Sequence, residues 1–119
     1  MKTLLEFCTP RTTQSNEYPF IEDLELARRL KEKHYRGSLI DVVLMAYNHP
    51  TSLVKRYCKN NEIKAITLID DITTQEELKS KLANLVETSE NRYAYLTLTP
   101  LPTSFKHWCA EHEIHYQKA

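Results

Sequence analysis

Residues 39–70 read LIDVVLMAYNHPTSLVKRYCKNNEIKAITLID, and this stretch decides the fold. LIDVVLMAY (39–47) is apolar on both alternating faces apart from Asp41, as a central strand of a parallel sheet is. Asn48-His49-Pro50 stops it. Leu53, Val54, Tyr57 and Cys58 then fall at helical spacing, and Thr51 or Ser52 can accept from the unpaired N–H groups of the first turn. IKAITLID (63–70) is the next strand. A strand, a short capped helix and a second strand in this order make a parallel crossover unit.

The middle of that unit is written twice. PTSLVKRYCKNNEI occupies 50–63 and PTSFKHWCAEHEI occupies 102–114, one residue shorter. With one residue skipped they share Pro, Thr, Ser, Lys, Cys, Glu and Ile, and the pairs Leu53/Phe105 and Tyr57/Trp108 fill the apolar positions. Each copy is expected to end a strand, cap a helix, bury one aromatic and one cysteine, and return to the sheet. Two copies are too few for a solenoid, so equivalent half-domain units are expected. A repeated ligand site explains less, because the shared residues are mostly those that capping and packing require.

Outward from this core, TLLEFC (3–8) is a buried strand stopped by Thr9-Pro10, and TPRTTQSNEYP is a polar loop. Helical spacing runs from Phe20 through Leu24, Ala27 and Leu30 towards Gly37, which suits a helix end. TTQE (73–76) is a capping-box pattern opening a helix with Leu78, Leu82, Leu85 and Val86 on one face. RYAYLTLT (92–99) is a strand, and IHYQ (114–117) a brief edge strand. The expected fold is a single α/β domain over 1–119: a small three-layer α/β/α, Rossmann-like, doubly wound domain with a mostly parallel sheet of four or five strands.

Sixteen Lys and Arg balance sixteen Asp and Glu, so no overall field draws the chain to nucleic acid or an anionic membrane. Three cysteines cannot all pair internally, no run is long enough to span a bilayer, and MKTLLEFCTP turns polar too soon for a signal peptide. A reducing cytoplasmic compartment is therefore expected.

In a parallel sheet a ligand binds beyond the carboxyl ends of the strands. The residues expected there include Arg11, Thr12, Thr13, His49, Thr51, Ser52, Asp70, Asp71, Thr103 and Ser104. Capped helix N-termini, an arginine and several hydroxyls suit a phosphate or carboxylate. The plain alternative is that they are only polar loops and caps, since no glycine-rich phosphate loop is present. Asp70-Asp71 fits strand-end shielding better than a magnesium site. Cys8 lacks the glycines of a thiolate anion-binding loop and reads as structural. His107, Cys109, His112 and His115 are too close in sequence to converge tetrahedrally, so no metal site is expected. Asp41, Glu62 and Lys64 resemble the acidic pair and lysine of the PD-(D/E)XK nuclease superfamily, which would imply a magnesium-dependent active site. Against this, the repeat aligns Glu62 with Glu113, the place of a helix-to-strand turn residue.

Two basic groups stand out: Arg28, Arg29, Lys31, Lys33, His34 and Arg36, and then Lys55, Arg56, Lys59 and Lys64. Solvated helix faces account for them better than a nucleic-acid footprint. With no catalytic set and no cofactor motif, the expected function is a non-enzymatic binding or regulatory module acting through protein contacts. A protein partner or second copy would pair with an edge strand, IHYQKA being the leading candidate. A phosphoester-handling protein, either a nucleotide binder or the nuclease, is the alternative.

Overall fold

The structure, a computed structural model, describes residues 2–10, 20–37, 40–49, 51–69 and 74–119. In chain order the elements are β1 (Lys2–Cys8), α1 (Phe20–Tyr35), β2 (Val42–Met45), α2 (Leu53–Asn60), β3 (Lys64–Thr67), α3 (Gln75–Thr88), β4 (Arg92–Thr97), α4 (Thr103–Glu111) and β5 (Ile114–Lys118). The five strands form one parallel sheet in the order β3-β2-β4-β1-β5, with the four helices on its two faces, a three-layer α/β/α, Rossmann-like domain.

Crossover direction assigns each helix to a face. The connections β1→β2 and β2→β3 move towards the β3 edge, and α1 and α2 both pack on one face, burying Leu26, Leu30, Val54 and Cys58 against Phe7, Val43, Met45 and Leu96. The connections β3→β4 and β4→β5 move the other way. Their helices, α3 and α4, pack on the opposite face, with Leu82, Val86, Phe105 and Cys109 against Leu4, Leu44, Tyr93 and Tyr95. One hand of crossover requires this division. β2 is buried along its whole length, as its apolar run predicts, whereas the edge strand β3 has only Ile66 half-buried.

Several local expectations shift. The helix cap lies one residue further on: Thr74 is the N-cap of α3, its Oγ1 accepting from Glu77 N at 3.2 Å. Ser52 caps α2 as expected, accepting from Lys55 N at 3.3 Å, but α4 follows Pro102 directly and has no side-chain cap. Counted back from their C-caps, Asn61 and His112, the twin helices place Phe105 opposite Val54 rather than Leu53. The missing residue therefore lies in the entry to α4, and the buried pairs Val54/Cys58 and Phe105/Cys109 keep the same four-residue spacing. The units are not equivalent in topology: α2 joins neighbouring strands, whereas α4 passes over β1 to reach β5.

The shared glutamates are helix-to-strand turn residues. Glu62 and Glu113 both adopt φ 57°, the left-handed conformation that usually falls to glycine after a helix; here the chain's one glycine is spent on the end of α1, at φ 87°. Holding two side-chain-bearing residues there costs about 1 kcal/mol each. Glu62→Gly and Glu113→Gly are thus each expected to stabilise the fold by about 0.5–1 kcal/mol in chemical denaturation, and Glu62→Val to destabilise it.

Candidate functional site

Along the carboxyl edge, successive strands β3, β2, β4 and β1 send their chains to alternating faces of the sheet. Each junction between these strands is therefore a topological switch point, three in place of one. Of the residues expected there, Arg11, Thr12, Thr13, Asp70 and Asp71 lie outside the described residues. The rest divide by loop: His49, Thr51 and Ser52 enter α2, while Thr103 and Ser104 form the exposed first turn of α4.

Two carboxylates absent from the expected set organise this edge. Asp23, fully buried on α1, takes the Tyr47 hydroxyl at 2.7 Å, the Ser52 hydroxyl at 2.5 Å and the Leu53 backbone N–H at 2.6 Å. Its Ser52 contact steers the serine lone pair towards Lys55 N, so α2 begins on a chain of two anchored acceptors. Burial, and then the Asp23 carboxylate, push the Tyr47 phenol far above its ordinary range. Glu6, fully buried in β1, does the same on the other face. It accepts from Leu101 N at 2.6 Å and from the Tyr116 hydroxyl, holding the β4–α4 loop and β5 together. Beside it the Tyr95 phenol is pushed up to about 12, chiefly by burial.

The position a phosphate would take at the start of α2 is therefore filled by the protein's own Asp23 carboxylate. Arg29 is likewise engaged, donating to the Cys8 carbonyl at 2.7 Å and to the Ala119 oxygen at 2.8 Å, so it ties the ends of β1 and β5. The three cysteines are free thiols, and burial pushes Cys58 and Cys109 up to about 11; Cys8 is raised by burial and then by Glu6. At neutral pH all three are protonated and poorly nucleophilic.

The amino edge holds the nuclease-like residues. Asp41 precedes β2, Lys64 opens β3 opposite Val42, and Glu62 is the turn residue before it. The Asp41 carboxylate takes Arg92 Nε and Nη2 at 3.0 Å each and Arg92 N at 2.8 Å, a bidentate clamp between β2 and β4. Arg92 holds Asp41 below the usual carboxylate range. A depressed folded-state value adds stability above the ordinary 3.8 and loses it as pH falls through the folded value. Asp41→Asn should thus flatten the acid limb of a stability–pH curve, modestly, since Arg92 and Asp41 are 41% and 35% exposed.

A cavity of about 610 Å³ also opens at this edge, lined by Lys2, Glu90, His112, Glu113, Ile114 and His115. His112 stacks on Trp108 with ring centroids 4.3 Å apart, and Cys109 is buried away from it. Among the described residues no three His, Cys, Asp or Glu side chains are placed to hold a metal ion, and no helix is long and apolar enough to cross a membrane.

Asp23 and Glu6 did leave a trace in the sequence. Glu6 is the one charge inside TLLEFC, and Asp23 falls three, four and seven residues before Leu26, Ala27 and Leu30, in phase with the apolar face. Fold and site together define a small Rossmann-like domain whose carboxyl edge is braced by internal carboxylates. Comparison with family models, curated proteins and solved structures finds no match for this chain.

Proposed function

We propose that the chain is a non-enzymatic binding module that joins a second copy of itself by strand addition at β5. The observation that carries this reading is the backbone row of that edge strand, which is open among the described residues. Ala119 N donates to Glu6 O at 2.9 Å, so by strand alternation the N–H and C=O groups of Tyr116 and Lys118 face away from β1. An antiparallel pairing about Tyr116 sets Ile114 against Lys118 and His115 against Gln117, with no like charges opposed. Further support comes from the filled N-terminus of α2, which leaves the phosphoester alternative without one of its anchors.

Light scattering tests the reading: a dimer at tens of micromolar is expected, and a strict monomer overturns it. Lys118→Pro removes an outward N–H and leaves the β1 ladder intact, so it should abolish the dimer while sparing the folded monomer. A nucleotide with magnesium that raised stability, by about 2.7 kcal/mol at one hundred times its Kd, would favour the phosphoester reading instead.

A further inference from the structure

We propose that the outer surface of the α1/α2 layer binds the phosphate backbone of single-stranded nucleic acid, a role independent of the β5 edge. The chain's charges sum to zero, but the fold sorts them. α1 and α2 carry seven Lys and Arg, and Arg36 follows directly; α3 and α4 carry three, against four glutamates. Of the four acids on α1, Glu22 and Asp23 are buried, at 1% and 0% exposure. The other two are neutralised in place, Glu25 by Arg28 and Glu32 by Arg28 and Arg36. Lys31, Lys33, Arg56 and Lys59 have no carboxylate within ion-pair distance among the described residues.

Packing joins two basic groups that lie far apart in sequence. The Tyr57 hydroxyl meets His34 Nδ1 at 2.5 Å, and Lys31 Nζ stands 5.8 Å from the Tyr57 ring centre, so the junction of the helices is itself cationic. Lys31 lies on the α2 side of α1, Arg56 and Lys59 are exposed on α2, and Lys33 lies on the far flank of α1 beside Arg29, Arg36 and Ala119, so the basic band runs from α2 across to that flank. At the end of α1 stands Tyr35, 92% exposed, an aromatic face with no packing role. A flexible polyphosphate uses both features, lysines as point charges for phosphates and a tyrosine face for a base. A carboxylate-bearing peptide uses only the first. Lys64 is not part of the band: it shares its strand face with Ile66, which packs towards α3.

The test is fluorescence anisotropy of fluorescein-labelled oligothymidylate and oligouridylate over a salt series. Binding at low salt is expected, weakening as salt rises with a log–log slope of about −0.7 per phosphate contacted. Combining Lys31→Gln, Lys33→Gln, Arg56→Gln and Lys59→Gln should weaken binding at least about tenfold and flatten that slope. Tyr35→Ala should weaken it by about fivefold or more, while Lys79→Gln with Lys81→Gln on the other layer should leave it unchanged. Unchanged melting temperatures of the variants certify their fold. The proposal is overturned if neither oligonucleotide binds the wild-type protein at low salt, if the fourfold variant binds as well as wild type, or if Tyr35→Ala is without effect. Polyglutamate of equal charge displacing the probe as well as unlabelled oligonucleotide does would assign the face to acidic polypeptide and also overturn it.

Discussion

Asp23→Ala is expected to destabilise the domain by about 3–5 kcal/mol, because one truncation strands three donors away from water. The Tyr47 and Ser52 hydroxyls and the Leu53 N–H all end on this carboxylate, and Ser52 loses the contact that orients it as the cap of α2. Against a total stability of about 5–15 kcal/mol this is a large fraction, visible as a fall in melting temperature of about 10–20 °C. Asp23→Asn keeps an oxygen for Leu53 N while the two hydroxyls rotate to accept, so it should cost less, and Tyr47→Phe less again. The truncation also tests the reading of the carboxyl edge. With the internal anion gone, the start of α2 becomes a vacant anion site, and added phosphate should recover part of the lost stability in Asp23→Ala but add little to wild type. A cost for Asp23→Ala below about 1 kcal/mol in chemical denaturation would show that this carboxylate does not anchor α2.

The part of the architecture that could be read beforehand is the part written locally. Alternation of apolar runs with capped helical spacing was enough for a parallel α/β domain, and the repeat placed Glu62 and Glu113 as turn residues before their φ angles were known. Strand order was not legible, because nothing near TLLEFC says that β1 slots between β4 and β5, some ninety residues away. Nor could two similar apolar runs reveal that β2 is central and β3 an exposed edge. Pairing Leu53 with Phe105 follows from letting Pro-Thr-Ser cap both helices; the buried pairs show that the helix ends, and not the entry motif, keep register. At the site, the internal carboxylates that brace the carboxyl edge are not legible locally, because they come from 30 residues away in one case and 95 in the other.

The second large effect belongs to that longer link. Glu6→Leu is expected to cost about 2–4 kcal/mol, since a side chain of similar size replaces the carboxylate but leaves the Leu101 N–H and the Tyr116 hydroxyl without their acceptor. Leu101 lies in the β4–α4 loop and Tyr116 in β5, so the damage should be local as well as global. Hydrogen exchange should accelerate in β5 before it does in β2, which β4 separates from β1. Glu6→Gln should be far milder, because its oxygen can serve Leu101 N while its amide donates to the Tyr116 hydroxyl, which rotates to accept. The ordering of these two variants carries the argument. If Gln proved as damaging as Leu, negative charge rather than hydrogen-bond capacity would be what β1 supplies. If Leu proved neutral, the loop into α4 would have to be held by its apolar contacts at Leu101 and Phe105 alone. Loosening β5 also frees its outward backbone row, so Glu6→Leu should weaken self-association by light scattering even where the monomer stays folded.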